Sequence, residues 1–310
     1  MSCEAAVTES ARFMTSGRQE LFAVVTRPSV EPRKVGVIIL SGGRYGQTAG
    51  RNRVSRRLAL GLAQQGFQVL RFDYGGIGDS TGVLGKFVLH KPFVDDLVAA
   101  VAELERFGVQ EVALMGDCFG ARTALAAAPV IESLSALLLV SMPWRDISHS
   151  DRKTHIASSQ LSVADYVRRG LDVKVMRNLT DAPTRRAYRM LATARLGMLG
   201  RSLADRVQGI EVEPWVSRRV VRQLEEVRRR GVPTLLLYGT GPAEEYSLDF
   251  EKIRTSAAMS AVLGRPGDPI EVRILDQPVA GYRNLVSQDE VIAVATTWLG
   301  DAVLRIREAV

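Results

Sequence analysis

The feature that most constrains the fold of this 310-residue chain is a short apolar run that leads through a glycine-flanked cysteine into a helix-forming segment. The run 112–115 precedes Gly-Asp-Cys-Phe-Gly at 116–120, and residues 121–128 favour a helix. Glycines on both sides let a strand and a helix pass closely, while the residue between them takes a strained backbone conformation. Cys118 should then stand at a helix N-terminus, where partial positive charge favours the thiolate, although Asp117 opposes this effect. The alternative is a buried turn with an inert thiol.

Apolar runs alternate with helical patterns along most of the chain. Strands are predicted at 35–40, 67–72, 112–115, 134–140, 232–238 and 271–275, a hairpin at 12–27, and helices at 54–65, 93–107 and 290–299. Continuous apolar runs of this kind are typical of strands buried on both faces of a parallel sheet. The pattern predicts an α/β fold, in which helices cover both faces of a mostly parallel, twisted sheet.

Residues 145–230 interrupt this alternation. The segment is polar and arginine-rich, has helical spacing and carries no strand signal. We therefore predict a helical lid at 145–230, inserted into a core that is formed by 1–144 and 231–310.

The composition and the N-terminal residues bear on the cellular location of the protein and on its cofactors. No apolar stretch reaches the roughly 18–20 residues of a membrane span, and the N-terminus lacks the basic start and apolar core of a secretory signal. We therefore expect a cytoplasmic protein. Its two cysteines, Cys3 and Cys118, make neither a disulfide framework nor a metal site by themselves, so no metal or other cofactor is predicted.

The net charge of +7 comes mostly from scattered arginines. No aromatic–basic interleaving or nucleic-acid motif accompanies them, so no nucleic-acid partner is predicted. An acidic or phosphate-bearing substrate, such as one attached to coenzyme A or to a carrier protein, stays open. The sequence gives no indication of the oligomeric state.

Taken together, these segments resemble the α/β-hydrolase superfamily, and specifically the acyl hydrolases whose genes accompany exosortase systems. The resemblance covers nearly the whole chain. It rests on Gly-Gly-Arg-Tyr at 42–45, on Leu-Arg-Phe-Asp-Tyr-Gly-Gly-Ile-Gly-Asp-Ser at 70–80, on Asp-Asp at 95–96, on the cysteine turn and on Pro-Trp at 143–144. It implies that the turn is a nucleophile elbow in which Cys118 stands where serine is usual.

The resemblance also implies an oxyanion hole made of two backbone N–H groups. One would come from Gly43, in the loop after the first parallel strand, and the other from Phe119, the residue after the nucleophile. Gly42, Arg44 and Tyr45 in the same loop are candidate substrate-binding residues. The alternative for the two glycines is a tight strand-to-helix turn.

The family pattern breaks at the acid and the base of the triad. The acid expected after the strand at 232–238 falls on Gly241 or Pro242. The histidine expected after the last strand, at 271–275, falls near Ala280. No histidine follows His155 anywhere in the chain. Glu244 is a candidate for a carboxylate close to the usual acid position, with a solvated loop charge as the alternative.

Five other residues are candidates for the site, three as a base and two for binding substrate. His149 and His155 open the predicted lid and, like His90, could serve as a relocated base; a surface imidazole is the alternative for each. Tyr282 and Arg283 lie beside the vacated histidine position and could hold a substrate carbonyl or carboxylate.

The missing base bears directly on the function. Attack by a cysteine on an ester or thioester does not strictly need a base, whereas release of an acyl-enzyme to water gains about 10²–10⁴-fold from one. We therefore predict an enzyme of specialised metabolism that uses the oxyanion hole and Cys118 on a small acyl ester or thioester. Its reaction would be acyl transfer, elimination or cyclisation, or weak thioester hydrolysis. The alternative is a catalytically inactive homologue that binds an acyl ligand or a partner protein.

Overall fold

The computed structural model describes residues 7–42, 48–83, 89–146, 216–241, 245–254, 263 and 267–308. Within these ranges, eight strands form one sheet in the order β1-β2-β4-β3-β5-β6-β7-β8. The strands are β1 (Val7–Ser16), β2 (Gln19–Pro28), β3 (Val35–Leu40), β4 (Gln68–Phe72), β5 (Glu111–Asp117), β6 (Leu134–Val140), β7 (Thr234–Gly239) and β8 (Ile270–Leu275).

The pairing of the strands is mostly parallel, as predicted. β1 and β2 form an antiparallel hairpin, in which Ser16 pairs with Gln19, and β2 pairs antiparallel with β4. All pairs from β4 through β3 to β8 are parallel. Every residue of β3, β4, β6 and β7 is buried, because these apolar runs are covered on both faces of the sheet.

Six helices flank the sheet in the described part of the chain. They are α1 (Val54–Gln64), α2 (Val94–Glu105), α3 (Phe119–Ala127), α4 (Arg218–Arg229), α5 (Glu245–Ile253) and α6 (Leu285–Glu308). Side chains of α1 and α6 share one apolar cluster with alternate sheet residues such as Val35 and Val37. Gly36, between those two valines, instead faces Leu104 of α2, so α2 covers the opposite face. The predicted α/β fold with helices on both faces is confirmed.

The chain divides into two compact units, residues 1–146 with 213–310, and residues 147–212. The second unit, which holds most of the predicted lid, lies outside the described residues. α4, at the end of the predicted lid segment, belongs to the first unit and contacts α3. None of the described helices is both long and apolar enough to cross a bilayer.

Candidate active site

The strand-to-helix turn at Cys118 is built as its glycines predict. Cys118 has φ 51° and ψ −109°, a conformation that L-amino acids rarely adopt. A Cβ on Gly116 would overlap the backbone of Gly120, and a Cβ on Gly120 would press on the carbonyl groups of Leu40 and Ser41. Both positions therefore require glycine, because β5, α3 and the end of β3 meet there without room for a side chain.

Backbone hydrogen bonds fix the orientation of the cysteine. The N–H of Cys118 donates to Val140 at 2.8 Å, and the Cys118 carbonyl accepts the N–H of Arg122 at 3.3 Å in the first turn of α3. The backbone N–H of Phe119 forms a hydrogen bond with the Cys118 sulfur. This N–H is the donor expected from one half of an oxyanion hole, and it lies beside the candidate nucleophile.

Cys118 is half-buried, and its surroundings favour the neutral thiol. Burial raises its pKa to about 12, and the negative charge of Asp117 contributes in the same direction. Hydrogen bonds from Tyr246 and from the Phe119 N–H favour the thiolate but do not offset these effects. The sequence left open the balance between the helix N-terminus and Asp117, and burial, the largest cause of the shift, favours the protonated thiol.

Tyr246 is the closest side-chain partner of the thiol in the described site. The Cys118 Sγ donates to the Tyr246 Oη at 3.8 Å. Tyr246 is the second residue of α5 and is half-buried. The sequence analysis did not identify it, because the helical spacing of Tyr246, Phe250 and Ile253 is only a weak signal of α5.

Tyr282 lies two residues after Ala280, near which the resemblance expects the triad histidine. It ends a 3₁₀ turn, Ala280–Tyr282, that follows β8, and it has a left-handed φ of 49°. Its side chain is buried within electrostatic reach of Cys118 and Asp117, and burial together with these two groups raises its pKa. The side chain of the next residue, Arg283, is exposed.

Asp117 occupies the floor of the site. Its carboxylate Oδ2 lies where a Cβ on Gly42 would stand, so the glycine leaves room for this buried carboxylate. The Tyr74 Oη donates a hydrogen bond to the carbonyl of Ser41, the residue before Gly42, at 3.3 Å. Burial raises the pKa of Tyr74, and the charges of Asp117 and Cys118 add to the effect. Among the described residues, the thiol therefore interacts with one carboxylate, of Asp117, and three phenols, of Tyr74, Tyr246 and Tyr282.

A protein-family model described as serine aminopeptidase, S33, matches residues 32–241, which is more than half of the chain. The protein belongs to this S33 family of α/β-hydrolases.

Solved structures support the same fold for this S33 family member. A proline iminopeptidase from Mycobacterium smegmatis is 17% identical, with a TM-score of 0.53 over 96% of this chain and 100% of that one. An esterase from Pyrococcus furiosus is 15% identical, with a TM-score of 0.56 over 96% and 91% of the two chains. A proline iminopeptidase-related protein from Thermus thermophilus is 17% identical, with a TM-score of 0.53 over 96% and 98%. No curated protein sequence matches the chain.

The resemblance expects the triad acid at Gly241 or Pro242 and the histidine near Ala280. Gly241 is exposed, with a φ of 130°, and among the described residues a Cβ there would contact Pro278, at 3.8 Å. Ala280 begins the turn that ends at Tyr282. His90 is exposed, and its carbonyl accepts a hydrogen bond from Arg219.

The remaining predicted site residues lie outside the described residues. They are Gly43, Arg44, Tyr45, His149, His155 and Glu244. Of the predicted set, the structure brings Cys118, Phe119 and Tyr282 together and places Gly42 against the neighbouring Asp117.

Proposed function

We propose that this S33-family protein is an enzyme that polarises the carbonyl of a small acyl ester or thioester beside Cys118. The observation that carries the proposal is the strained cysteine elbow, in which the Phe119 N–H lies beside the sulfur at the start of α3. A site of this form stabilises the negative charge that develops on a carbonyl oxygen during acyl chemistry. The sequence resemblance to exosortase-associated acyl hydrolases supports the same substrate class.

The proposed reaction is acyl transfer, elimination or cyclisation, within specialised metabolism. A thiol with a pKa of about 12 is ionised in only about one molecule in 10⁵ at pH 7. Neither a neutral thiol nor the residues at Gly241 and Ala280 can activate water as a histidine does. Hydrolysis of a thioester would therefore be a slow side reaction. The net charge of +7 favours a substrate carried on coenzyme A or on an acidic carrier protein.

The test is the intact mass of the protein after incubation with activated acyl esters and acyl thioesters. A Cys3→Ser background leaves Cys118 as the sole thiol. We expect a gain equal to one acyl group, and no gain in the Cys118→Ala variant. Turnover that persists in Cys118→Ala would mean that the cysteine lines the site without acting as the nucleophile. Absence of both the adduct and a product would contradict the proposal that the protein is an enzyme.

A base supplied by the predicted lid is a separate proposal. His149 and His155 are its candidates, and Glu244 is the candidate acid. Under this proposal, wild-type protein hydrolyses nitrophenyl esters briskly, and His149→Ala or His155→Ala abolishes the reaction. Slow wild-type hydrolysis that neither change affects would contradict it.

The neutral thiol and the vacated triad favour a second function class. A catalytically inactive homologue would bind an acyl ligand or a partner protein without converting it. A ketone analogue of an acyl thioester, in which CH₂ replaces the reactive sulfur, would then bind as tightly to Cys118→Ala as to the wild type. Acyl transfer by the wild type at any rate above that of Cys118→Ala would contradict this alternative.

A further inference from the structure

Tyr246 reaches the thiol from the helix that follows the vacated acid position. Its Oη accepts the Cys118 S–H at 3.8 Å, within the range of hydrogen bonds to sulfur. A phenol can accept one proton and donate another at the same time, which neither a carboxylate nor an ammonium group can do. The contact is therefore chemically suited to passing a proton on.

An aromatic stack holds α5 in place. The Phe250 ring stacks on Tyr238 with centroids 4.7 Å apart and planes at 11°. The same ring stacks on Trp144, with centroids 6.1 Å apart and planes at 26°. The Tyr238 hydroxyl in turn hydrogen-bonds the Met142 carbonyl at 3.3 Å. The stack fixes α5 against the carboxyl ends of β6 and β7.

A buried ion pair adds a second anchor on the same helix. Arg145 donates to both carboxylate oxygens of Asp249, at 2.5 and 2.7 Å, and the Asp249 side chain is only 3% exposed. Asp249 and Phe250 follow Tyr246 by three and four residues, so all three share one face of α5. The two anchors therefore set the rotation of the helix that carries the phenol to the sulfur.

We propose that Tyr246 is a catalytic residue that relays the proton between Cys118 and the leaving group of the substrate. The relay rests on the proposed acyl chemistry. The sulfur attacks the carbonyl carbon, and the S–H proton passes to the Tyr246 oxygen. The carbonyl electrons move onto the oxygen held by the Phe119 N–H and return as the bond to the leaving group breaks. The original phenol proton passes to that leaving group, so Tyr246 ends unchanged and the acyl group resides on Cys118.

The relay explains how a neutral thiol can react without histidine. The proton leaves the sulfur as the new carbon–sulfur bond forms, so no free thiolate accumulates. The same path run backwards carries the acyl group to an incoming thiol, alcohol or amine.

The first test needs no substrate. In the Cys3→Ser background, the rate of Cys118 alkylation by iodoacetamide is followed from about pH 7 to about pH 11. Tyr246→Phe removes the donor to the thiolate, so its rate at a given pH should fall roughly tenfold and its profile should move to higher pH. Leu248→Ala alters an exposed side chain of the same helix and should leave the profile unchanged. Identical profiles for Tyr246→Phe and the background overturn the proposal.

The second test measures acylation of Cys118 by an acyl thioester. Loss of the relay in Tyr246→Phe should lower kcat by about 10²–10⁴-fold with little change in KM. Tyr246→His places a base on the same helix and should restore acylation in part. Equal acylation by wild type and Tyr246→Phe overturns the relay and leaves the acyl function standing. Absence of acylation in every protein overturns the acyl function itself, and the alkylation profiles still report whether Tyr246 bonds the thiolate.

Discussion

The Asp117 carboxylate and the Cys118 thiol are adjacent in the chain and share one buried environment. The carboxylate is accommodated because Gly42 has no side chain, and its charge disfavours ionisation of the sulfur. The sequence analysis recognised that Asp117 opposes the thiolate. It could not determine the balance, because the desolvation that dominates the pKa arises only when distant segments enclose the turn.

Asp117→Asn removes this negative charge while preserving the size of the side chain. The pKa of Cys118 should fall, and alkylation of Cys118 at pH 8 should become several-fold faster. In the parent protein the rate should rise tenfold per pH unit until the pH approaches the pKa of about 12. The exposed Asp95 of α2 provides the matched control, since Asp95→Asn should leave the rate unchanged. A slower reaction in Asp117→Asn would show that the carboxylate assists ionisation.

Among the secondary-structure elements, α5 is the one that the sequence analysis missed. The strands were predictable because their apolar runs are continuous, and α3 because glycines delimit it. α5 is short and largely polar, and its buried residues include Ser247 and Asp249 as well as Phe250 and Ile253, so no clear apolar stripe marks it in the sequence. The family pattern after β7 points to Gly241 and Pro242 and gives no role to Tyr246. Its partner Cys118 lies 128 residues away, and that contact depends on the sheet order.

The Arg145–Asp249 pair should contribute strongly to the stability of the core. Asp249→Asn removes the carboxylate that the Arg145 side chain, 14% exposed, contacts through both oxygens, and should lower the free energy of unfolding by about 3–5 kcal/mol. The exposed pair Arg229–Glu226 is the control, because Glu226→Gln breaks an ion pair that solvent screens and should change the free energy of unfolding much less. Urea unfolding measures both. Equal decreases in the free energy of unfolding of the two variants would mean that water solvates Arg145 once the Asp249 charge is removed.

At the scale of the whole molecule, parallel pairing brings the carboxyl ends of β3 to β8 to one edge of the sheet. The cysteine follows β5, Gly42 follows β3, Tyr246 follows β7 and Tyr282 follows β8. This convergence was predictable from the strand order that the α/β-hydrolase resemblance implies. The side chains at this edge were less predictable, because the phenols of Tyr246 and Tyr282 reach Cys118 from positions a few residues after those where the family pattern expects an acid and a base.

The same convergence defines a test by restoration. Gly241→Asp and Ala280→His place a carboxylate and an imidazole after β7 and β8, and together they should raise nitrophenyl ester hydrolysis about tenfold. The gain should be modest because Gly241 has a φ of 130°, so an aspartate there is strained. Each single variant serves as a control and should give less than the pair. Unchanged turnover in the double variant would mean that the site around Cys118 does not admit the ester.

The high pKa of Cys118 also bears on how the protein withstands oxidants. Hydrogen peroxide and disulfides react with the thiolate form of cysteine, and the neutral thiol is nearly inert toward them. An acyl-transfer cysteine that ionises freely would be progressively converted to sulfenic and sulfinic acids. With its pKa raised to about 12, Cys118 holds its proton at neutral pH, so we expect its sulfur to be oxidised more slowly than that of a resting thiolate.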